Sequence, residues 1–197
     1  MGYAALIMLL ITALSTLTQC KKAIEDLVNP KGTIKFINPT FTTIDITFNG
    51  ETTVILPGGS ASFTGTAGVS ATGNASTSGK NSIGNRLGLL MTWGIIEVFP
   101  SGGGTLDYTL NVGSDYFYLK IKNISTKTID KVYSNYGTAA QTIDYLSLPN
   151  NGTTYDIGYY QAFINSNVRL ESTTTFWYWN TLGLSFSNNQ QITLTAN

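Results

Sequence analysis

The dodecapeptide IKFINPTFTTID spans Ile34 to Asp45, and a related one, LKIKNISTKTID, spans Leu119 to Asp130. They align without a gap 85 residues apart, and Lys, Asn, Thr, Ile and Asp recur at five positions, among them Asn38 and Asn123. Three more segment pairs follow in the same order: LP-GGSASF with LP-NNGTTY from Leu56 and Leu148, NSIGNRL with NSNVRL from Asn81 and Asn165, and TLDYTLNV with QQITLTAN from Thr105 and Gln190. Repetition in a fixed order predicts that residues 30–113 and 114–197 are divergent copies of one module.

Each copy has the length of a small immunoglobulin-like sandwich, which accommodates about seven short strands. After residue 30 no segment shows a sustained 3.6-residue period, whereas β-branched and aromatic runs between turn residues indicate strands. The predicted strands are Thr33–Ile37, Ile44–Phe48, Thr53–Leu56, Tyr116–Lys122, Thr128–Tyr133, Thr142–Leu148, Val168–Glu171, Thr174–Trp179 and Gln191–Thr195.

We therefore predict an all-β protein of two tandem, sequence-related Ig-like β-sandwich modules. The alternative is one pseudo-symmetric β-sandwich that uses the two copies as its halves. A two-residue turn at Asn49-Gly50 supports a hairpin in the first copy, because both residues readily adopt positive φ.

The composition narrows the class of function. Charged residues make up 11% of the chain, and 11 Lys and Arg balance 11 Asp and Glu. This balance gives no electrostatic footprint for nucleic acid. The chain contains no His and a single Cys, so histidine-based triads, His-ligated zinc and disulfides within the chain are excluded. We predict no cofactor and no metal site.

The N-terminus combines an apolar run, Ala4 to Leu14, with the segment LTQC that ends at Cys20. This run of eleven residues is too short to span a bilayer but suits the core of a signal peptide. The segment resembles the lipobox of bacterial lipoproteins, and the CKK sequence resembles those of Bacteroidota-type bacteria. The resemblance implies a signal peptide over residues 1–19, acyl chains on Cys20 and a lipidated tether over residues 20–29. The alternative is an ordinary buried cysteine that follows an N-terminal helix.

The remaining candidates for chemistry are weak. The carboxylates are scattered singly, so no pair for general acid–base catalysis is indicated. GNASTSGKN, from Gly73 to Asn81, resembles a phosphate loop but has the wrong spacing, and we interpret it as a flexible surface loop. The N-x-[ST] triplet at Asn123 is interpreted as incidental. Arg86 and Arg169 are each expected to pair with a carboxylate or carbonyl of their own module.

The second copy contains a run of four aromatics, Phe176-Trp177-Tyr178-Trp179, and a Tyr159-Tyr160 pair. In a strand, Phe176 and Tyr178 face one way and the two tryptophans the other, so a sheet with one core face exposes one pair. Residues 114–197 hold 15 aromatics and residues 30–113 hold seven. We predict that Trp177, Trp179, Tyr159 and Tyr160 bind a ligand; the alternative is that both pairs are buried.

Together these patterns predict a non-catalytic cell-envelope lipoprotein of the bacterial outer membrane. Cys20 is its membrane anchor, and its partner is a glycan or an envelope protein. A structural or assembly component of a fimbria-like surface structure is the alternative. An enzyme that acts on polysaccharide comes third.

Overall fold

The chain folds into fourteen β-strands in the computed structural model, which describes residues 17, 19–21, 24, 25, 28–77, 90–113, 116–139, 141–161, 167–180 and 190–197. The strands of the first half are β1 (Lys31–Ile37), β2 (Ile44–Phe48), β3 (Glu51–Ile55), β4 (Ser60–Thr66), β5 (Ser70–Thr77), β6 (Thr92–Val98) and β7 (Thr105–Thr109). Those of the second half are β8 (Tyr116–Asn123), β9 (Ile129–Ser134), β10 (Thr142–Leu148), β11 (Thr154–Gln161), β12 (Asn167–Glu171), β13 (Phe176–Asn180) and β14 (Gln190–Ala196).

The strands form four sheets in two pairs. The first half contains the sheets β4-β1-β7 and β3-β2-β5-β6, and the second half contains β11-β8-β14 and β10-β9-β12-β13. Each order in the second half repeats the first with every strand number raised by seven. The prediction of two tandem β-sandwich modules is confirmed. The pseudo-symmetric alternative is wrong, because no sheet of the described residues combines strands from both halves.

Each module has its own hydrophobic core between its two sheets. The first core is built around Phe36, Phe48 and Phe63, whose rings meet edge to face at 5.0–5.6 Å. The second core contains Leu119, Ile121 and many other buried aliphatic side chains from both of its sheets. In the first module, buried and more exposed residues alternate along β1 and β2. Their apolar side chains therefore point into the first core, as the period-2 pattern of a strand requires.

The last strand of each module lies parallel to its first strand. In an immunoglobulin constant domain, strand A occupies the edge beside strand B. Here β1 occupies the position of strand B. The position of strand A is occupied by β7, which is the last strand of the module in the sequence and not the first. The registers pair Lys35 with Asp107 and Lys120 with Thr193, so β7 and β14 correspond one residue away from the alignment predicted above.

The repeated asparagine explains why the opening phrase occurs twice. Asn38 follows β1 in one sheet and is fully buried. Its side-chain amide donates to the carbonyls of Thr42 and Ile55, both at 2.9 Å, and its Oδ1 accepts from the backbone N–H of Thr40 at 2.9 Å. Because Ile55 ends β3 in the opposite sheet, one side chain shapes the β1–β2 turn and joins the two layers.

Asn123 repeats the arrangement in the second module. Its amide donates to the carbonyls of Lys127 and Leu148, both at 2.8 Å. Its Oδ1 accepts from the Ser125 N–H at 3.2 Å and from the Ser125 hydroxyl at 2.7 Å. Leu148 therefore occupies the place of Ile55, one residue from the predicted alignment. The N-x-[ST] spacing here reflects this turn, and Asn123 is fully buried.

The interpretation of Gly73 to Asn81 as a flexible surface loop is wrong for its first five residues, which belong to β5; residues 78–81 lie outside the described part. β5 lies between β2 and β6, and its core-facing Ala71 and Ala75 are buried. A Cβ at Gly73 would lie 2.3 Å from the Thr47 carbonyl oxygen. Small residues are needed because this strand packs beneath large aromatic rings. In the sheet order, β5 is the counterpart of β12. The sequence alignment instead pairs the β12 segment with Asn81–Leu87.

The two modules contact each other through a small apolar cluster. Tyr118 and Tyr159 are buried there beside Val112, with Trp93 of the first module packed against them. The backbone N–H of Phe41 donates to the Tyr159 hydroxyl at 3.0 Å. The junction therefore combines ring packing with one specific hydrogen bond.

Candidate binding face on the second module

The four consecutive aromatics of β13 divide as strand alternation requires, with the tryptophans inward. Trp177 lies opposite Leu170 and Trp179 opposite Val168, two buried core residues of β12. Both tryptophans are partly buried and pack against the second core. Because their cross-strand neighbours belong to the core face, Trp177 and Trp179 point towards the core. They therefore lack the exposure that the predicted ligand-binding role requires.

The outward pair is Phe176 and Tyr178, which are 61% and 47% exposed. Phe176 lies opposite Glu171, and Tyr178 lies opposite Arg169. Charged cross-strand neighbours keep this side of β12 and β13 at the solvent. The exposed aromatic face of the strand is thus the one that the sequence analysis did not select.

Trp177 has an identifiable structural role. Its indole N–H donates to the backbone carbonyl of Asn197 at 2.9 Å, and Trp93 donates to the carbonyl of Asn111 at the same distance. Asn111 and Asn197 occupy equivalent places after β7 and β14 in the pairing register. The same strand-closing contact in both modules indicates that this tryptophan stabilises the sandwich.

Tyr159 and Tyr160 are both buried, at 2% and 1% exposure. Tyr159 lies in the cluster between the modules, and burial raises the pKa of its hydroxyl to about 12. Tyr160 points into the second core, where its hydroxyl donates to Asp144. Burial and the Asp144 carboxylate raise its pKa well above the ordinary value. We correct the assignment of these two residues, because neither ring is available at the surface.

Outward side chains of the second module's four-stranded sheet form two cross-strand rows. We call these two rows the aromatic face, and in the strand order β10-β9-β12-β13 they are Ile143–Tyr133–Arg169–Tyr178 and Tyr145–Lys131–Glu171–Phe176. Exposed rings thus occupy both edge strands, and most of the charged side chains lie between them. Sequence reasoning missed this face, because its rows exist only across strands; the signal available was the run of aromatic and charged residues in β9, β10 and β12.

Arg169 is the centre of the aromatic face. Its guanidinium lies 4.6 Å from the ring centre of Phe176, 4.8 Å from that of Tyr136 and 5.4 Å from that of Tyr133. Tyr136 also makes an edge contact with Tyr178 at 5.6 Å. Cation–π attraction of this kind holds the rings and the guanidinium in a fixed arrangement.

Ion pairs connect the charged groups of the aromatic face, whose two cations and one carboxylate leave a net charge of +1. Glu171 accepts from Lys131 at 2.9 Å and from Arg169 at 2.7 Å. The hydrogen bond from Lys131 lowers the pKa of Glu171, and the same bond raises the pKa of Lys131. Arg169 thereby fulfils the expectation of a carboxylate partner within its own module, whereas Arg86 lies outside the described residues.

Three buried polar atoms around one end of the aromatic face have no hydrogen-bond partner among the described residues: Nε of Arg169 and the Oδ1 atoms of Asn135 and Asn167. Asn135 itself is 5% exposed and has a positive φ of 52°. Buried atoms of this kind are usually satisfied by water or a ligand. Within the described residues, this end of the face therefore retains hydrogen-bonding atoms for which no protein partner is found.

The equivalent surface of the first module is chemically different. Its two outward rows carry one charge and no aromatic ring, in the strand order β3-β2-β5-β6: Thr52–Thr47–Asn74–Gly94 and Val54–Asp45–Ser76–Thr92. Because the folds are the same, the sandwich itself does not require rings and ion pairs here. The aromatic face is a property of the second module alone.

The other sequence-derived candidates are placed as follows. Cys20 is a free, exposed thiol, which is contrary to the alternative of a buried cysteine. No cluster of three or more potential metal ligands occurs within the described ranges. None of the described helical segments is long and apolar enough to cross a membrane.

The chain matches no protein-family model, and no curated protein matches it significantly.

Proposed function

We propose that this protein is a non-catalytic binding protein of the bacterial cell envelope, anchored by lipid at Cys20 and binding through the aromatic face of its second module. The observation that carries the proposal is the contrast between two equivalent surfaces, of which only one presents exposed rings around an ion-pair cluster. Exposed aromatic side chains provide large contact area at a small cost in conformational entropy.

The proposed anchor is supported by the lipobox-like segment before Cys20 and by the exposure of that thiol. Mass spectrometry of the N-terminal peptide from the bacterial envelope tests it. We expect cleavage before Cys20 and the added mass of acyl chains, whereas the Cys20→Ala variant leaves the membrane fraction. An unmodified Cys20 in the mature chain contradicts the anchor without affecting the binding face.

The absence of a catalytic role is proposed on the residues of the face itself. Glu171 is engaged by both neighbouring cations. A carboxylate paired in this way has a lowered pKa and does not carry a proton near neutral pH. The chain also contains no histidine to replace it.

The binding proposal is tested with the full-length chain in detergent micelles and isolated envelope fractions. We compare cosedimentation of the natural chain, of Tyr145→Ala and of Val54→Ala, a matched exposed residue on β3, the counterpart of β10. We expect only Tyr145→Ala to lose cosedimentation. Equal cosedimentation of all three chains is the result that excludes the aromatic face as the contact surface.

A structural or assembly role is the second candidate, and one observation favours it. β6 is an edge strand of its sheet in the described part of the chain, and its outward Ile96 and Val98 are 76% and 51% exposed. An apolar edge strand can accept a further strand from another chain. Chemical crosslinking of the natural chain and of Ile96→Lys tests this role. If the role is correct, the natural chain forms crosslinked oligomers and the variant does not.

A further inference from the structure

The size of the aromatic face limits what can bind to it. Four strands about 4.8 Å apart and four residues of about 3.3 Å each cover roughly 250 Å². A stable protein–protein interface buries about 800 Å² on each partner. On its own the face is therefore smaller than one side of a typical protein–protein interface, but it is sufficient for a short chain of small rings.

The spacing of the exposed rings favours an extended ligand. Tyr145 on β10 and Phe176 on β13 share one row, separated by three strand spacings, or about 14 Å. They are 68% and 61% exposed. A flat sheet with a ring at each edge and a polar centre matches an oligosaccharide laid across the strands, because each pyranose has an apolar C–H face and a rim of hydroxyls.

The electrostatics of the face favour a neutral ligand. Lys131 and Arg169 both pair with Glu171, so the two cations and one carboxylate leave a single net positive charge, too little to hold a polyanion by charge alone. The accessible atoms of these groups still donate hydrogen bonds to sugar hydroxyls and accept hydrogen bonds from them. Nε of Arg169 and Oδ1 of Asn167 have no partner within the described residues, but both atoms are buried, so they contribute to sugar binding at most through bridging water.

From these observations we infer that the aromatic face binds a neutral saccharide, with sugar rings stacked on Tyr145 at one edge and on Phe176 and Tyr178 at the other. The inference rests on the proposed function and specifies its ligand class. Tyr145 and Phe176 define the ends of the site, and the Lys131–Glu171–Arg169 cluster supplies hydrogen bonds at its centre.

The test is binding of the full-length chain in detergent micelles to immobilised neutral polysaccharides, namely glucans, mannan and xylan, and to the acidic polysaccharides pectin and alginate. Oligosaccharides released from any polysaccharide that binds are then titrated by calorimetry. We expect a neutral polysaccharide to bind with little dependence on salt. Tyr145→Ala is expected to weaken binding about tenfold, because one stacked ring is lost.

Phe176→Ala and Tyr178→Ala are expected to weaken binding to a similar degree. These two rings also contact Arg169 and Tyr136, so the melting temperature of each variant is measured alongside. Tyr145→Phe keeps a ring and is expected to bind within about threefold of the natural chain, and Val54→Ala on the first module is the unchanged control.

Each other outcome overturns the inference in an identifiable way. Saccharide binding that survives Tyr145→Ala and Phe176→Ala in folded chains places the site elsewhere. Binding to acidic polysaccharides alone, lost as salt rises, means that charge rather than ring stacking recognises the ligand. If no polysaccharide binds, the saccharide inference fails. The proposed function then stands or falls separately on whether Tyr145→Ala reduces cosedimentation with the envelope.

Discussion

Replacement of Asn123 by alanine is expected to destabilise the second module strongly. The substitution removes two amide donors to the carbonyls of Lys127 and Leu148 and an acceptor used by the N–H and hydroxyl of Ser125. A hydrogen bond contributes about 1 kcal/mol net, so four bonds amount to about 4 kcal/mol. Since Asn123 is fully buried, water cannot replace its contacts without opening the fold.

The same change at Asn38 provides an internal comparison. Three hydrogen bonds involve this side chain, to Thr42, Ile55 and Thr40. The expected loss is about 3 kcal/mol. The difference of about 1 kcal/mol between the two variants reflects the bond from the Ser125 hydroxyl, for which Asn38 has no counterpart.

Urea unfolding followed by tryptophan fluorescence measures both losses, with exposed Asn111→Ala as a surface control that stays within about 0.5 kcal/mol. Asn123→Asp adds a check of pH dependence. Burial raises the folded pKa of the new carboxyl above its unfolded value, so the variant regains stability relative to Asn123→Ala as the pH falls toward about 4. Losses below about 1 kcal/mol for both alanine variants would refute the assigned role of the asparagines in joining the sheets.

Three further predictions concern the core and the module junction. Trp93→Phe and Trp177→Phe each remove one indole hydrogen bond, and each should cost about 1 to 3 kcal/mol in urea unfolding while leaving saccharide binding intact; a binding loss specific to Trp177→Phe contradicts its structural role. Gly65→Ala would place a Cβ 2.1 Å from the buried ring of Phe99, so we expect a loss of about 1 to 3 kcal/mol or more by thermal unfolding, and an unchanged melting temperature contradicts the packing described. The buried hydroxyl of Tyr159 has its pKa raised to about 12. Its contribution to stability is therefore fully present below pH about 10 and is lost as the pH rises toward 12, at about 1.4 kcal/mol per pH unit, and Tyr159→Phe should remove this part of the alkaline destabilisation.

Sequence analysis predicted nine of the fourteen strands of the described residues and missed β4, β5, β6, β7 and β11. Ile44–Phe48 and Thr142–Leu148 were predicted with their observed bounds. β5 was missed because its small residues carry no strand propensity of their own. They form a strand because β2 and β6 supply hydrogen bonds on both sides, which is information held by the neighbours and not by the segment.

The sequence analysis selected a strand of the proposed site, but the side of that strand which packs on the core. Alternation along β13 separates Phe176 and Tyr178 from the two tryptophans, but it does not tell which pair meets the core. That choice depends on the register with β12, which sets the tryptophans against buried aliphatic residues. The burial of Tyr159 likewise could not be predicted from the sequence, because it depends on contact with the first module.

By itself the sequence determined the class of fold, because alternating apolar residues and a repeated asparagine turn are local patterns that need no partner to be recognised. Only the tertiary structure decided which surface is free to bind. The aromatic face, centred on Arg169, is assembled from four strands, and the distances between its side chains arise from backbone hydrogen bonds between distant segments. Surface chemistry in a β-sandwich is a cross-strand property, so residues far apart in the chain have to be placed side by side before it exists.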